Sequence, residues 1–197
     1  MKGIYFKQKR IEEEGPENYE CSKLLGSPVF PEGFLGSGED YLLTDDDFFI
    51  MQLNLSDVKG CCEYLPDSGF LYFFLDVDDL TPKVLYTEDE VIEVIDDINE
   101  CFDGEYGKTD AYELVFGSED QDGHLLLGEL DEDIGLEGFT DTDGYVTLLQ
   151  IDALELPDEI LRLETICRLD GYFVFLIKEE DLKRRDFSRV IFVDCGT

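Results

Sequence analysis

The sequence predicts a β-rich α+β protein, mainly of antiparallel sheet, made by an internal duplication and carrying few helices. Three observations predict it. Similar blocks recur in one order about 102 residues apart, apolar aromatic-rich runs of strand length are bounded by Gly, Pro and Asp turns, and one stretch near 88–102 has helical period.

The repeat is the strongest of these. GFLYFFLDVDDL from Gly69 aligns without a gap to GYFVFLIKEEDL from Gly171, so that Asp79–Leu80 falls on Asp181–Leu182. Upstream, IMQLNL (Ile50–Leu55) matches LLQIDA (Leu148–Ala153), which sets Gln52 against Gln150. Before that, the LLG of Leu24–Gly26 matches the LLG of Leu126–Gly128. After it, PKVLY from Pro82 matches SRVIF from Ser188. The chain is therefore expected to be a single domain, 1–197, of two pseudo-repeats (about 22–86 and 124–192). A helix-containing segment, 87–123, joins them.

Each repeat reads as an LLG loop, a strand around the glutamine, a strand after the glycine, and a third at VLY or VIF. FLYFFL and YFVFLI are apolar at every position, which suits strands covered on both faces. The turns LPDSG and RLDG before them suit hairpins, hence antiparallel pairing. The helix expected near 88–102 would begin with a capping box, Thr87 to Glu90, with Glu88 and Asp89 favoured by the helix dipole. It would bury Val91, Val94, Ile95, Ile98 and Phe102, expose an acidic stripe of Asp89, Glu93, Asp96, Asp97 and Glu100, and end at Gly104. A shorter helix is expected from Pro157 through Ile160 and Leu163.

Composition narrows the partners. The chain has 49 acidic and 15 basic residues, a formal net charge of -34, and the imbalance is concentrated. From Ile11 to Leu161 there are 42 acids against four cations, Lys23, Lys59, Lys83 and Lys108. Nucleic acid and anionic membrane both need cations to neutralise phosphate, so neither is an expected partner. A basic protein or a cation is favoured by the field of such a surface. The first residues lack the apolar core of a signal peptide, and no apolar run reaches membrane-spanning length, so a cytoplasmic location is expected. Six cysteines without C-x-x-C spacing are then read as reduced, with Cys61 and Cys62 as small buried apolar residues.

The order SKLLGSPVFPEGF, MQLNL, LPDSGFLYFF, GHLLLG, LLQID, GYFVFLI, DL and DFSRVIF, spanning Ser22 to Cys195, resembles the YwqG-like proteins. The resemblance implies a β-rich α+β fold and no established reaction, so no catalytic residues are carried over. This chain has no tryptophan, although the family usually places one after the early Pro-x-Gly segment and another before the last core strand.

Nothing in the residues specifies catalysis or a cofactor. His124, the only histidine, opens an apolar run and is expected to be structural or solvent-exposed. The loop from Ser118 to Glu129 half-matches an EF-hand loop, and Asp120, Asp122 and Glu129 are the metal candidates it offers. Ser118 stands where aspartate belongs and the flanks are not helical, so a turn is the expected reading. Asp141 to Gly144 reads as a turn too. Gly33–Gly38 meets Glu39 and Asp40, which would repel phosphate. Asp45–Asp47 are expected to keep the following strand from aggregating, and Lys183–Arg185 to pair internally.

The function expected from these features is that of a non-enzymatic acidic interaction protein, of immunity or antitoxin type, whose partner-binding residues are Asp89, Glu93, Asp96, Asp97 and Glu100. The alternative is a small-molecule or cation-binding module, an enzyme being one form, with Gln52 and Gln150 contributing to a site between the two repeats.

Overall fold

A computed structural model describes residues 3–61, 63–96, 98–99, 109–117, 124–129, 143–156 and 171–196. Its strands in chain order are β1 (Ile4–Arg10), β2 (Lys23–Leu24), β3 (Val29–Phe30), β4 (Asp47–Asn54), β5 (Phe70–Asp76) and β6 (Pro82–Thr87). They continue with β7 (Glu93–Val94), β8 (Tyr112–Phe116), β9 (His124–Gly128), β10 (Tyr145–Asp152), β11 (Gly171–Lys178) and β12 (Ile191–Gly196). Among the described residues the one α-helix is α1 (Glu179–Arg184). No helix among them is long and apolar enough to cross a membrane.

Ten strands form one sheet in the order β12-β11-β10-β9-β1-β8-β2-β4-β5-β6, every pairing antiparallel. The sheet curls until it nearly closes. Phe73 of β5 and Phe175 of β11 stand near opposite ends of the strand order, yet their rings meet edge-on at 5.4 Å inside. At the seam, Tyr86 of β6 packs on Phe187 at 5.6 Å, and Glu88 pairs with Arg185. Closing the sheet hides its edges, which would otherwise invite pairing with other chains.

The all-apolar strands behave as expected. Leu71, Phe73 and Leu75 of β5 enter the interior core, while Phe70, Tyr72 and Phe74 form a second core on the outer face with Val29, Phe30 and Val91. In β11, Phe173, Phe175 and Ile177 point inward and Val174 and Leu176 outward. Both glutamine-bearing strands carry a bulge at the same place relative to that residue, at Ile50 in β4 and at Leu148 in β10. Each then runs into a short 3₁₀ turn capped by its last residue: Asn54 accepts from Ser56 N–H and Asp152 from Leu154 N–H.

The expected helix near 88–102 is not formed over its described residues, 88–96 and 98–99. Thr87 is the last residue of β6, and its hydroxyl accepts from Asp89 N–H in a local turn rather than capping a helix. The chain then runs extended beside β3, with Ile92 N–H on Phe30 C=O and Ile95 N–H on Pro28 C=O, and β7 pairs with β3. Val91, Val94, Ile95 and Ile98 do pack on the outer core, as the pattern required. Branched Val and Ile fit an extended chain, and unpaired backbone on β3 was waiting for it. Asn99 completes the arrangement: its amide donates to Phe49 C=O and accepts from Phe49 N–H, standing in for the strand that the two-residue β2 is too short to supply. Phe102, Gly104 and the helix expected from Pro157 lie outside the described residues.

The LLG blocks turn sharply. Leu25 and Leu127 are both left-handed, with φ of 55° and 53°. Gly26 follows at φ 72°, where a Cβ would meet Ala111 and come within 2.8 Å of a Glu14 carboxylate oxygen. Gly26→Ala is therefore expected to cost about 2 kcal/mol in urea unfolding, by left-handed strain and overlap together. A neutral result would mean that the Glu14 loop moves aside.

Candidate functional site

Three polar arrangements stand out. The first is a buried network behind β2 and β4. Lys23 is fully buried and bonds to Glu14 at 2.8 Å, with Glu14 itself 5% exposed. The same carboxylate accepts from Ser27 N–H and Ser27 Oγ–H. Beside it, Asp57 accepts from the N–H and hydroxyl of Ser22. Gln52 accepts from Val29 N–H at 2.8 Å and donates to Tyr19 and Cys21 C=O, both at 2.9 Å. The hydroxyl of Tyr72 donates to Val29 C=O. Each of these groups already answers another, so the network stitches the segment from Glu14 to Val29 to the sheet. Burial pushes the Cys21 thiol up to about 11, which keeps it protonated and poor as a nucleophile.

Gln52 and Gln150 do occupy matched places, but on the outward face. Their strand neighbours Leu53 and Ile151 point into the interior core, and Gln150 pairs in register with Val174 of the outer cluster. Gln52 is taken up by backbone.

The second arrangement is acidic. Asp45 and Asp46 are exposed at the start of β4, near Asp76, Asp78 and Asp79 at the end of β5. Desolvation holds the Asp46 carboxyl above its usual range, with Asp78, Asp76, Asp45 and Asp47 adding to the effect. Asp47 differs: it is buried and pairs with Lys83, and it accepts from Thr44 N–H and Oγ–H. Asp89, Glu93 and Asp96 are also exposed, but along an extended chain rather than one helical face, and Glu93 accepts from Gly33 N–H. Asp97 and Glu100 lie outside the described residues.

The third lies inside the barrel, where β1 meets β9. His124 is fully buried, stacked on Phe6 at 5.1 Å, and its Nδ1 accepts from Asp152 N–H at 3.1 Å. Its Nε2 is buried without a partner. Gln8, two residues beyond Phe6 on the same face, donates through its amide nitrogen to Glu155 C=O, while its Oε1 is buried and also unmatched. Composition offers no signal for this juxtaposition. Only the 3₁₀ turn after β10, which takes His124 on Asp152 N–H and Gln8 on Glu155 C=O, relates the two side chains.

Burial pushes the imidazole down to about 4, against a weaker opposing pull from Asp152. An unfolded histidine titrates near 6.5, so between those values the unfolded chain binds the extra proton. The stability that neutral His124 contributes is thus complete above about pH 6.5 and is lost as pH falls toward 4. From pH 7 to pH 5 the wild type should lose about 2 kcal/mol relative to His124→Phe in paired urea titrations. The difference from the variant is what matters, because protonating surface carboxylates relieves self-repulsion over the same range. Parallel pH curves would show that bulk solvent reaches the imidazole and that it titrates as it does in the unfolded chain.

Among the described residues no group of three or more His, Cys, Asp or Glu side chains is placed to hold a metal ion. Of the EF-hand candidates, Asp120 and Asp122 lie outside those residues, and Glu129 directly follows β9, a strand. Cys61, expected to be buried, is exposed in the turns after β4, where Leu55, Val58 and Leu65 take the core places, and Cys62 lies outside the described residues. The basic run pairs with the protein's own acids: Lys183 with Glu179, Arg184 with Glu180 and Asp181, and Arg185 with Glu88.

What this describes is a nearly closed antiparallel barrel with a satisfied polar network on one flank and an acidic exterior. A family model described as Domain of unknown function (DUF1963) matches residues 22–122, just over half the chain, and the chain belongs to that family. No curated protein matches it.

Proposed function

We propose that this protein is a non-enzymatic acidic interaction protein that occupies a basic surface on another protein, an immunity- or antitoxin-like role being one form. One observation carries the reading: the three described cations of the acidic stretch are already engaged. Lys23 is buried on Glu14, Lys83 sits on Asp47, and Lys59 lies 3.8 Å from Asp67. Asp45, Asp46 and Asp78 stay exposed and near one another, a surface that steers a cationic partner and fixes its orientation. The reading places the protein in the cytoplasm and, within its family, among the YwqG-like proteins on the order of its blocks. It also takes the two halves as copies of one unit. Matched bulges at Ile50 and Leu148, matched left-handed leucines at positions 25 and 127, and a strand order that mirrors itself about β8 and β1 support that descent.

The test is capture of a basic partner from the source cell across a salt series, followed by Asp45→Asn/Asp46→Asn/Asp78→Asn. Retention at moderate salt and at least tenfold weakening by that triple variant are expected. Glu32→Gln/Glu39→Gln/Glu63→Gln, equal in charge, should weaken binding less. If no basic protein is retained at any salt, or the two variants act alike, the reading falls.

A second reading, a small-molecule or cation-binding module between the halves, is favoured by one observation, the unmatched polar atoms of His124 and Gln8 where β1 meets β9. Thermal shifts against metabolites and metals, calcium included, test it. A flat response throughout removes it.

A further inference from the structure

We propose that the barrel interior holds a site for one uncharged hydroxyl oxygen, that of a bound water or of a small hydroxyl-bearing molecule, between His124 Nε2 and Gln8 Oε1. The inference rests on the second reading above and gives it a chemistry.

Proton placement sets the sign of each atom. Nδ1 of His124 accepts from Asp152 N–H, so in the neutral ring the proton is on Nε2, which therefore presents a donor. Gln8 is oriented in the same way: its NH₂ donates to Glu155 C=O, leaving Oε1 as an acceptor. Asp152 and Glu155 are the cap and the last residue of a single 3₁₀ turn, Ala153–Glu155, so one turn fixes both side chains. Phe6 faces His124 across the β1–β9 pair and belongs to the interior core, and Gln8 follows on that face.

A buried donor and a buried acceptor, each unmatched, thus lie under one turn. Leaving either so costs about 1–3 kcal/mol, and such groups in folded proteins are met by water or ligand. The two signs select the occupant. A carboxylate can accept from His124 but cannot donate to Gln8. An ammonium can donate to Gln8 but cannot accept from His124. A hydroxyl does both. The neutral imidazole, held so by burial, is consistent with an uncharged guest.

The experiment is NMR on the whole protein with ¹⁵N-labelled histidine, paired with native mass spectrometry of the protein as purified. A resolved Nε2–H signal is expected, with either a cross-peak to a long-lived water and an unadorned mass, which places water there, or a discrete small-molecule adduct whose removal shifts that signal, which places a ligand hydroxyl. Gln8→Met should abolish the cross-peak or the adduct while the Asp152 amide signal stays put. Neither cross-peak nor adduct in the wild type overturns the site, as does a direct His124–Gln8 bond in a high-resolution crystal structure. Because Gln8 lies on the same face of β1 as Phe6 of the interior core, Gln8→Met should leave capture of a basic partner unchanged. A flat thermal-shift panel with a water cross-peak would remove the ligand-module reading and leave the hydroxyl site standing.

Discussion

Glu14→Leu is expected to lower the free energy of unfolding by about 3–5 kcal/mol, the range for stranding one member of a buried ion pair. Lys23 has no exposure to solvent, and its ammonium is neutralised by the Glu14 carboxylate at 2.8 Å. The ring of Tyr19, 5.8 Å away, cannot substitute for a full charge. The substitution also orphans Ser27, whose N–H and hydroxyl both bond to Glu14. Urea unfolding followed by tyrosine fluorescence suits a chain with ten tyrosines and no tryptophan. Glu14→Leu/Lys23→Met should recover most of the loss, since two apolar side chains of similar size remove the stranded charge with its partner. A single-variant loss under about 1 kcal/mol would mean that water reaches Lys23, and the network would then be a surface feature.

Gln52→Leu should cost about 3 kcal/mol or more, because leucine keeps the volume while three backbone groups lose their partners at once, each worth about 1–3 kcal/mol when buried and unmatched. Those groups are Val29 N–H, Tyr19 C=O and Cys21 C=O. The loss should appear as a lower urea midpoint with an unchanged slope, and thermal-shift responses to any ligand should be unaltered apart from that offset. If stability is intact and a ligand response disappears, Gln52 is a binding residue after all and the structural role assigned to its amide is wrong.

Much of the fold was legible in the sequence. The alternation-free runs FLYFFL and YFVFLI announced strands buried on both faces, because such composition cannot face water on either side. The apolarity of Val91, Val94, Ile95 and Ile98 marks a buried set, but their spacing fits a helix and an irregular extended chain alike. Only the open edge of β3 decided between them. The pairing of Lys183–Arg185 followed from the surplus of acids, and the structure shows the partners. The candidate site was less legible. Gln52 and Gln150 are marked by their matched positions, whereas Gln8 and His124 share no motif and are related only through the turn after β10.

By itself, then, the sequence determined the central strands around Gln52 and Gln150 and after Gly69 and Gly171, which faces are apolar, and that the surface is anionic, since these follow from side-chain transfer energies and charge counts that need no neighbour. The tertiary structure decided what depends on partners distant in the chain: the curl that brings Phe73 to Phe175, the extended course of Val91–Ile95, the burial of Lys23 on Glu14, and the paired orphan atoms of Gln8 and His124. Hydrogen bonds and ion pairs are local in space and indifferent to sequence separation, so only a closed sheet could reveal them.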